Sequence, residues 1–238
     1  MKRNHLPIIL GMALIALLMG SCDALFENQF GNAGLWQPTA AELAAQASDS
    51  NPAVAQPALS LQVEAELNTG GGTPLVENLV DVLLTQGSSL NGMTTSGDNS
   101  MNTIINALVP AETLSTPGAL AAAIDAIQGT LDNLNALAAN VDASGGSYAV
   151  EGVNSQNLAM TAALATVFDT LDPAASSSYS SVGVALEAYM TASATGTPDI
   201  ADFVSLPIGT DFGTLFDSGT TVGILFGAAG VNLSSFDI

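Results

Sequence analysis

Apolar positions recur along most of this chain at steps of three and four, the spacing of one face of an α-helix. In GALAAAIDAIQGTLDNLNALAANV the residues Leu120, Ile124, Ile127, Leu131, Leu134 and Leu137 mark such a face. Thr116-Pro117 opens that stretch and Gly145-Gly146 closes it. Thr73-Pro74 likewise starts LVENLVDVLLTQ, where Leu75, Leu79, Val82 and Leu83 repeat the pattern. Start and stop signals agree with the period elsewhere. Thr39, with Glu42 three residues on, forms a capping box before AAELAAQA. Pro57 is expected to open ALSLQVEAEL, ended by Asn68 and the Gly70–Gly72 triplet. MNTIINAL, followed by Pro110, reads as a further helix. Asn154 or Ser155 caps QNLAMTAALATVFDTL, which Asp172-Pro173 stops. Ser176 to Ser181 leads into VGVALEAYMTAS, and Thr197-Pro198 begins a short DIADFVSL.

Strand-like alternation is scarce. The expected fold class is therefore all-α: a single irregular bundle of about eight or nine helices. Stacked helix pairs of solenoid type are the alternative, although no fixed-period repeat stands out. From Gly209 onward the chain becomes rich in Gly, Phe and Thr, and Gly219, Gly223 and Gly227 stand four apart. In lipid that spacing is a helix-dimer face. The apolar run here is too short to span, so closely packed helices are expected instead.

The N-terminus follows another logic. Lys2 and Arg3 precede an apolar run from Pro7 to Met19, and Gly20, Ser21 and Cys22 end it. A run of that length with small residues behind it is a signal segment rather than a comfortable membrane span. The ending resembles the lipobox of bacterial lipoproteins, with Met19 where Leu is commoner. The resemblance covers residues 1–22 and implies lipidation of Cys22: a diacylglycerol on sulfur and a further acyl chain, such as palmitate, on the new N-terminus. Cys22 is the only cysteine, so an exported form has no disulfide partner for it. A cleaved secretory signal and an uncleaved anchor are the alternatives. The division read from sequence is a signal peptide over 1–21, a lipidated segment over 22–38 and an acidic helical domain over 39–238. The segment over 22–38 includes Phe26, Phe30, Leu35 and the single Trp36, more apolar than a plain tether. The expected location is the bacterial cell envelope, lipid-anchored and facing the periplasm or the exterior. Asp23 favours the inner membrane in enteric bacteria, and the leaflet is left open.

Charge sharpens the picture. The two Lys+Arg and the one His are Lys2, Arg3 and His5, whereas all 22 Asp+Glu follow Cys22. Beyond the signal segment no basic side chain exists. That excludes Ser-His-Asp and Cys-His nucleophile systems and lysine Schiff bases. Zinc, copper, haem and iron–sulfur sites lack their usual nitrogen and thiolate ligands. Nucleic acid is repelled for want of Lys and Arg on its phosphates. The partners that remain are the membrane through its lipid, basic proteins or peptides, divalent cations and neutral molecules. High acidity also suits solubility in salt. Apolar residues make up 48% of the chain, enough for a sizeable core despite the charge.

Carboxylates are the one catalytic set left. Glu77 with Asp81, Asp169 with Asp172, and Asp199 with Asp202 would each share a helix face, which alone selects no active site. Leu215 to Thr221 resembles the Asp-Ser/Thr-Gly signature of aspartic proteases around Asp217. That family needs a second such loop or a β-rich subunit, and this chain offers neither. For calcium, the oxygen-rich stretches holding Asp98 and Asn99, and Asp142 and Ser144, are the candidate ligand loops. Neither follows the EF-hand pattern, and turn chemistry explains the same residues. The expected function is thus a membrane-anchored, non-enzymatic binding or scaffold module without an obligate cofactor. A calcium-dependent binding protein is the first alternative and a carboxylate-only hydrolase the second.

Overall fold

The computed structural model describes residues 38–79, 109, 116–151, 153–205, 214 and 217–231. The chain divides at Thr39/Ala40 by its internal contacts, and every element named below belongs to the second unit, Ala40–Ile238. Seven α-helices are bounded among the described residues: α1 (Ala40–Ala47), α2 (Pro52–Gly70), α3 (Ala119–Gly129), α4 (Leu131–Ala143), α5 (Ser155–Asp169), α6 (Val182–Ser193) and α7 (Thr221–Ala228). A helical segment also covers 73–79. The sheet among them is a two-residue antiparallel ladder, Asp172–Pro173 (β1) against Val204–Ser205 (β2). The all-α expectation holds. The helix expected over MNTIINAL lies outside the described residues.

Helix α2 is the long element on which others lean; α1, α3 and α4 all pack against it. It begins earlier than the sequence suggests. Asn51 accepts a hydrogen bond from the Ala53 amide at 3.1 Å, and Pro52 takes the first helical position, where a missing N–H costs nothing. Pro57 therefore stands inside the helix instead of opening it. An interior proline costs about 3 kcal/mol. Burial of Ala55, Gln56, Ala58 and Leu59 around it offsets that cost. At the far end Gly71 adopts φ +73°, a left-handed conformation glycine enters freely. The amides of Gly71 and Gly72 both turn back to the Leu67 carbonyl.

The longest predicted helix is two. Its apolar face is as expected, with Leu120, Ile124, Ile127, Leu134 and Leu137 wholly buried. It breaks at Gly129-Thr130, where the buried Thr130 hydroxyl donates to the Ile127 carbonyl at 2.6 Å. The break lets α3 pack against α5 and α6 while α4 packs against α7, both keeping contact with α2. Periodicity cannot register such a bend, because the apolar spacing runs through it unchanged.

Helix α5 lies deepest. Leu158, Ala159, Thr161, Ala162, Ala163, Leu164, Ala165 and Phe168 are buried on it, an apolar surface nearly all the way round. Its neighbours are α3, α4 and α7. The predicted helix over DIADFVSL is instead a 3-10 turn, Ile200–Asp202, running into β2. Phe203 beside it stacks on Tyr179 at 5.9 Å and meets the edge of Tyr189 at 5.6 Å. Aromatic packing across three segments outweighs a weak local helix preference.

Close helix approach falls on Gly183 rather than on Gly219 or Gly227 of the four-residue spacing. A Cβ at Gly219 or Gly227 would meet nothing within 4 Å. At Gly183, the second residue of α6, it would sit 2.7 Å from the Ala121 carbonyl oxygen and 3.0 Å from Ala121 Cα. Gly183→Ala should accordingly force α6 off α3, lowering stability by about 1–3 kcal/mol. Gly227→Ala should leave the thermal midpoint unchanged or slightly raised. Circular dichroism melts of the two variants check the contrast.

Candidate functional site

The carboxylates of this unit have no cation to meet, and they turn to amide groups. Glu187 on α6 reaches the start of α3, where Oε1 accepts from the Gly118 amide at 2.5 Å and Oε2 from the Ala121 amide at 3.0 Å. One side chain thus satisfies two orphan donors of a helix 66 residues or more away in sequence. Gly118, at φ +83°, supplies no capping side chain of its own. Asp199 caps the 3-10 turn through the Ala201 amide at 3.0 Å. Asp49 accepts from the Asn51 amide at 2.8 Å.

The densest polar chemistry follows the seam between α2 and α4. At one end Gln56, fully buried, donates from Nε2 to Ser144 Oγ at 3.3 Å and accepts at Oε1 from the Ala149 amide at 2.7 Å. It fastens the turn after α4 to the start of α2. Tyr148 lies in the same turn with its hydroxyl buried and without a hydrogen-bond partner, and burial pushes its phenol above the ordinary tyrosine range. At the other end Glu66 Oε1 accepts from Asn133 Nδ2 at 3.4 Å, while Oε2 is buried without a partner. Desolvation raises the Glu66 carboxyl above the usual range; the Asn133 bond opposes this, and the Asp132 charge adds to it. Desolvation raises Glu64, two residues earlier, in the same direction.

The residues singled out by sequence are dispersed. Cys22, Trp36, Asp81, Asp98 and Asn99 lie outside the described residues. Asp142 is exposed on the last turn of α4, and Ser144 is the cap of that helix. The oxygens there are engaged. The Asn140 carbonyl accepts from Ser144 Oγ at 2.7 Å, the Val141 carbonyl from Gly146 at 3.0 Å, and the Asp142 carbonyl from Gly145 at 3.0 Å. Asp169 ends α5 and Asp172 starts β1, so the pair shares no helix face. Glu77 and Asp202 are exposed. Asp217 is exposed in the turn before α7, and its carbonyl accepts from the Thr220 amide and hydroxyl, both at 2.8 Å. Thr220 in turn caps α7 by accepting from Gly223 at 3.1 Å. The protease-like stretch thus serves, where it is described, as a helix start. Among the described residues no three Asp, Glu, His or Cys side chains gather as a metal site would need.

Sequence reasoning passed over Gln56, Glu66, Asn133 and Glu187. Only Gln56 left a signal, a polar residue within the apolar spacing of Ala55, Leu59 and Val63. Gln56→Ala removes a buried amide and strands the Ala149 N–H and Ser144 hydroxyl. A loss of about 2–3 kcal/mol is expected, read as a lower urea midpoint. Asp142→Asn should leave the thermal midpoint in chelator unchanged, since the Asp142 side chain is exposed and the end of α4 is held by backbone and Ser144 hydrogen bonds. Compared with protein-family models, with curated proteins and with solved structures, the chain has no match in any of the three.

Proposed function

We propose that this chain is a bacterial envelope lipoprotein, held to the membrane by acyl chains on Cys22, whose helical domain is a non-enzymatic binding or scaffold module. The observation that carries the reading is the sole thiol of the chain, placed at the end of Pro7 to Met19 behind Gly20-Ser21. Several acyl chains supply the stable attachment that one alone does not. The domain itself is repelled by anionic headgroups, so the lipid must hold it against its own charge. Among the described residues no helix is long and apolar enough to cross a membrane.

The scaffold reading draws support from what the helices do with their polar groups. Gln56, Glu187, Asp199 and Thr220 are spent on helix ends and turns. The exposed acids Glu77, Asp142, Asp172, Asp202 and Asp217 face outward. A surface of that sign recruits basic proteins or peptides and divalent cations, and it excludes nucleic acid. The domain would face the periplasm or the cell exterior.

Replacement of Cys22 tests the anchor. In a bacterial host, wild-type chain should incorporate labelled palmitate and sediment with membranes. Cys22→Ser should lose the label and appear in the soluble fraction. Label retained in the variant, or a wild-type chain that takes up none, would overturn the proposal.

A further inference from the structure

At the seam between α2 and α4 the Glu66 carboxyl has no cation to meet. Glu66 Oε2 is shut off from solvent and has no partner, and Oε1 takes only the long 3.4 Å bond from Asn133. Asp132, the neighbour of Asn133 on α4, adds its own negative charge to the same carboxyl. A buried acceptor left unpaired is unfavourable, and more so when charged. A proton on Glu66 removes the charge, the repulsion from Asp132 and the cost of stranding an ionised oxygen in one step.

We propose that the α2–α4 seam is a proton-responsive joint: protonation of Glu66 tightens the two helices against each other, and its ionisation loosens them.

Every titratable group on the surrounding elements has the same sign. Helix α1 carries Glu42, α3 carries Asp125, the segment 73–79 carries Glu77, and α4 carries Asp132 and Asp142. The Asp132 charge adds to the upward shift of Glu66, and Glu64 on α2 is raised by its own burial. In most proteins a Lys or Arg would hold such a carboxylate ionised. Here none exists beyond Arg3.

The direction of the response follows. The folded chain holds the Glu66 and Glu64 protons more tightly than the unfolded chain does. Their contribution to stability is therefore full below the ordinary glutamate value of 4.5 and is lost as pH rises through the higher folded-state values. The joint closes in acid. This opposes the usual acid denaturation, in which salt-bridged carboxylates lose their partners. On the envelope side of a membrane the joint would follow external pH, but its operation does not depend on the lipid anchor.

The full chain, in nonionic detergent with chelator present, is melted at about pH 5 and about pH 8. The wild-type midpoint should be higher in acid. Glu66→Gln, which makes the neutral form permanent, should raise the midpoint at the higher pH by about 2–4 °C and narrow the gap between the two. Asp132→Asn should narrow it to a smaller extent. Glu77→Gln removes an exposed charge from a neighbouring element and should leave the gap as in wild type. Amide exchange at the higher pH should slow in the first turns of α4 in Glu66→Gln. The proposal fails if Glu66→Gln keeps the wild-type gap. It fails equally if Glu77→Gln narrows the gap as much, since that would mark general charge repulsion rather than this seam.

Discussion

Twenty-two carboxylates fold in a chain with no ammonium, guanidinium or imidazole after His5, and this scarcity of cations shapes the polar structure. Ion pairs are unavailable as fasteners, so backbone amides take their place. Glu187 shows the consequence most fully. Its carboxylate binds the Gly118 and Ala121 amides and ties α6 to the start of α3. An ionised acceptor on a helix N-terminus gains from both the hydrogen bonds and the helix dipole. Asp199 and Asp49 repeat the device over shorter distances. Where no amide N–H comes within reach, as at Glu66 Oε2, the oxygen is left without a partner.

Cohesion must then come from close apolar contact, and the composition suits it. Helix α5 buries four alanines among its eight buried residues, which allows neighbours to approach its axis closely. Gly183 brings α6 onto Ala121 of α3, and Gly70 brings the end of α2 onto Ala126. A Cβ at Gly72 would lie 2.9 Å from Ile127 Cγ1, so the turn after α2 also seats on α3. Small residues at such crossings forgo some hydrophobic area and gain contact over more of each helix surface. The buried leucines and isoleucines of α3 and α4 supply the larger share of the driving force.

Two kinds of polar residue coexist in this arrangement. Those turned inward, Gln56, Ser60, Thr130 and Thr161, each bond a nearby carbonyl, amide or hydroxyl and hold local geometry. Those turned outward are acids with water as solvent, and they set the sign of whatever approaches. The α2–α4 seam falls between the two classes. Glu66 is near enough to the surface to exchange a proton and buried enough to feel the difference.

Sequence alone determined the helical class, the apolar faces of α3, α4 and the segment 73–79, and the start of α5 at Asn154 or Ser155, of which Asn154 is the cap. These are local properties, written in spacings of three and four and in side chains that reach their own next turn. The bounds of α6 could be read directly because a serine cap and an apolar period coincide there. Only tertiary structure decided the rest. It kept Pro57 inside α2 because Gln56 is held from across the fold, and it bent the long helix at Thr130 to serve two sets of neighbours. It turned DIADFVSL into a ladder strand against Asp172–Pro173. It also brought Glu66 to Asn133 and Glu187 to Gly118. The physical reason is common to all: partners 66 or more residues apart leave no trace in a local period, yet their hydrogen bonds and burial outweigh the local preferences that a sequence displays.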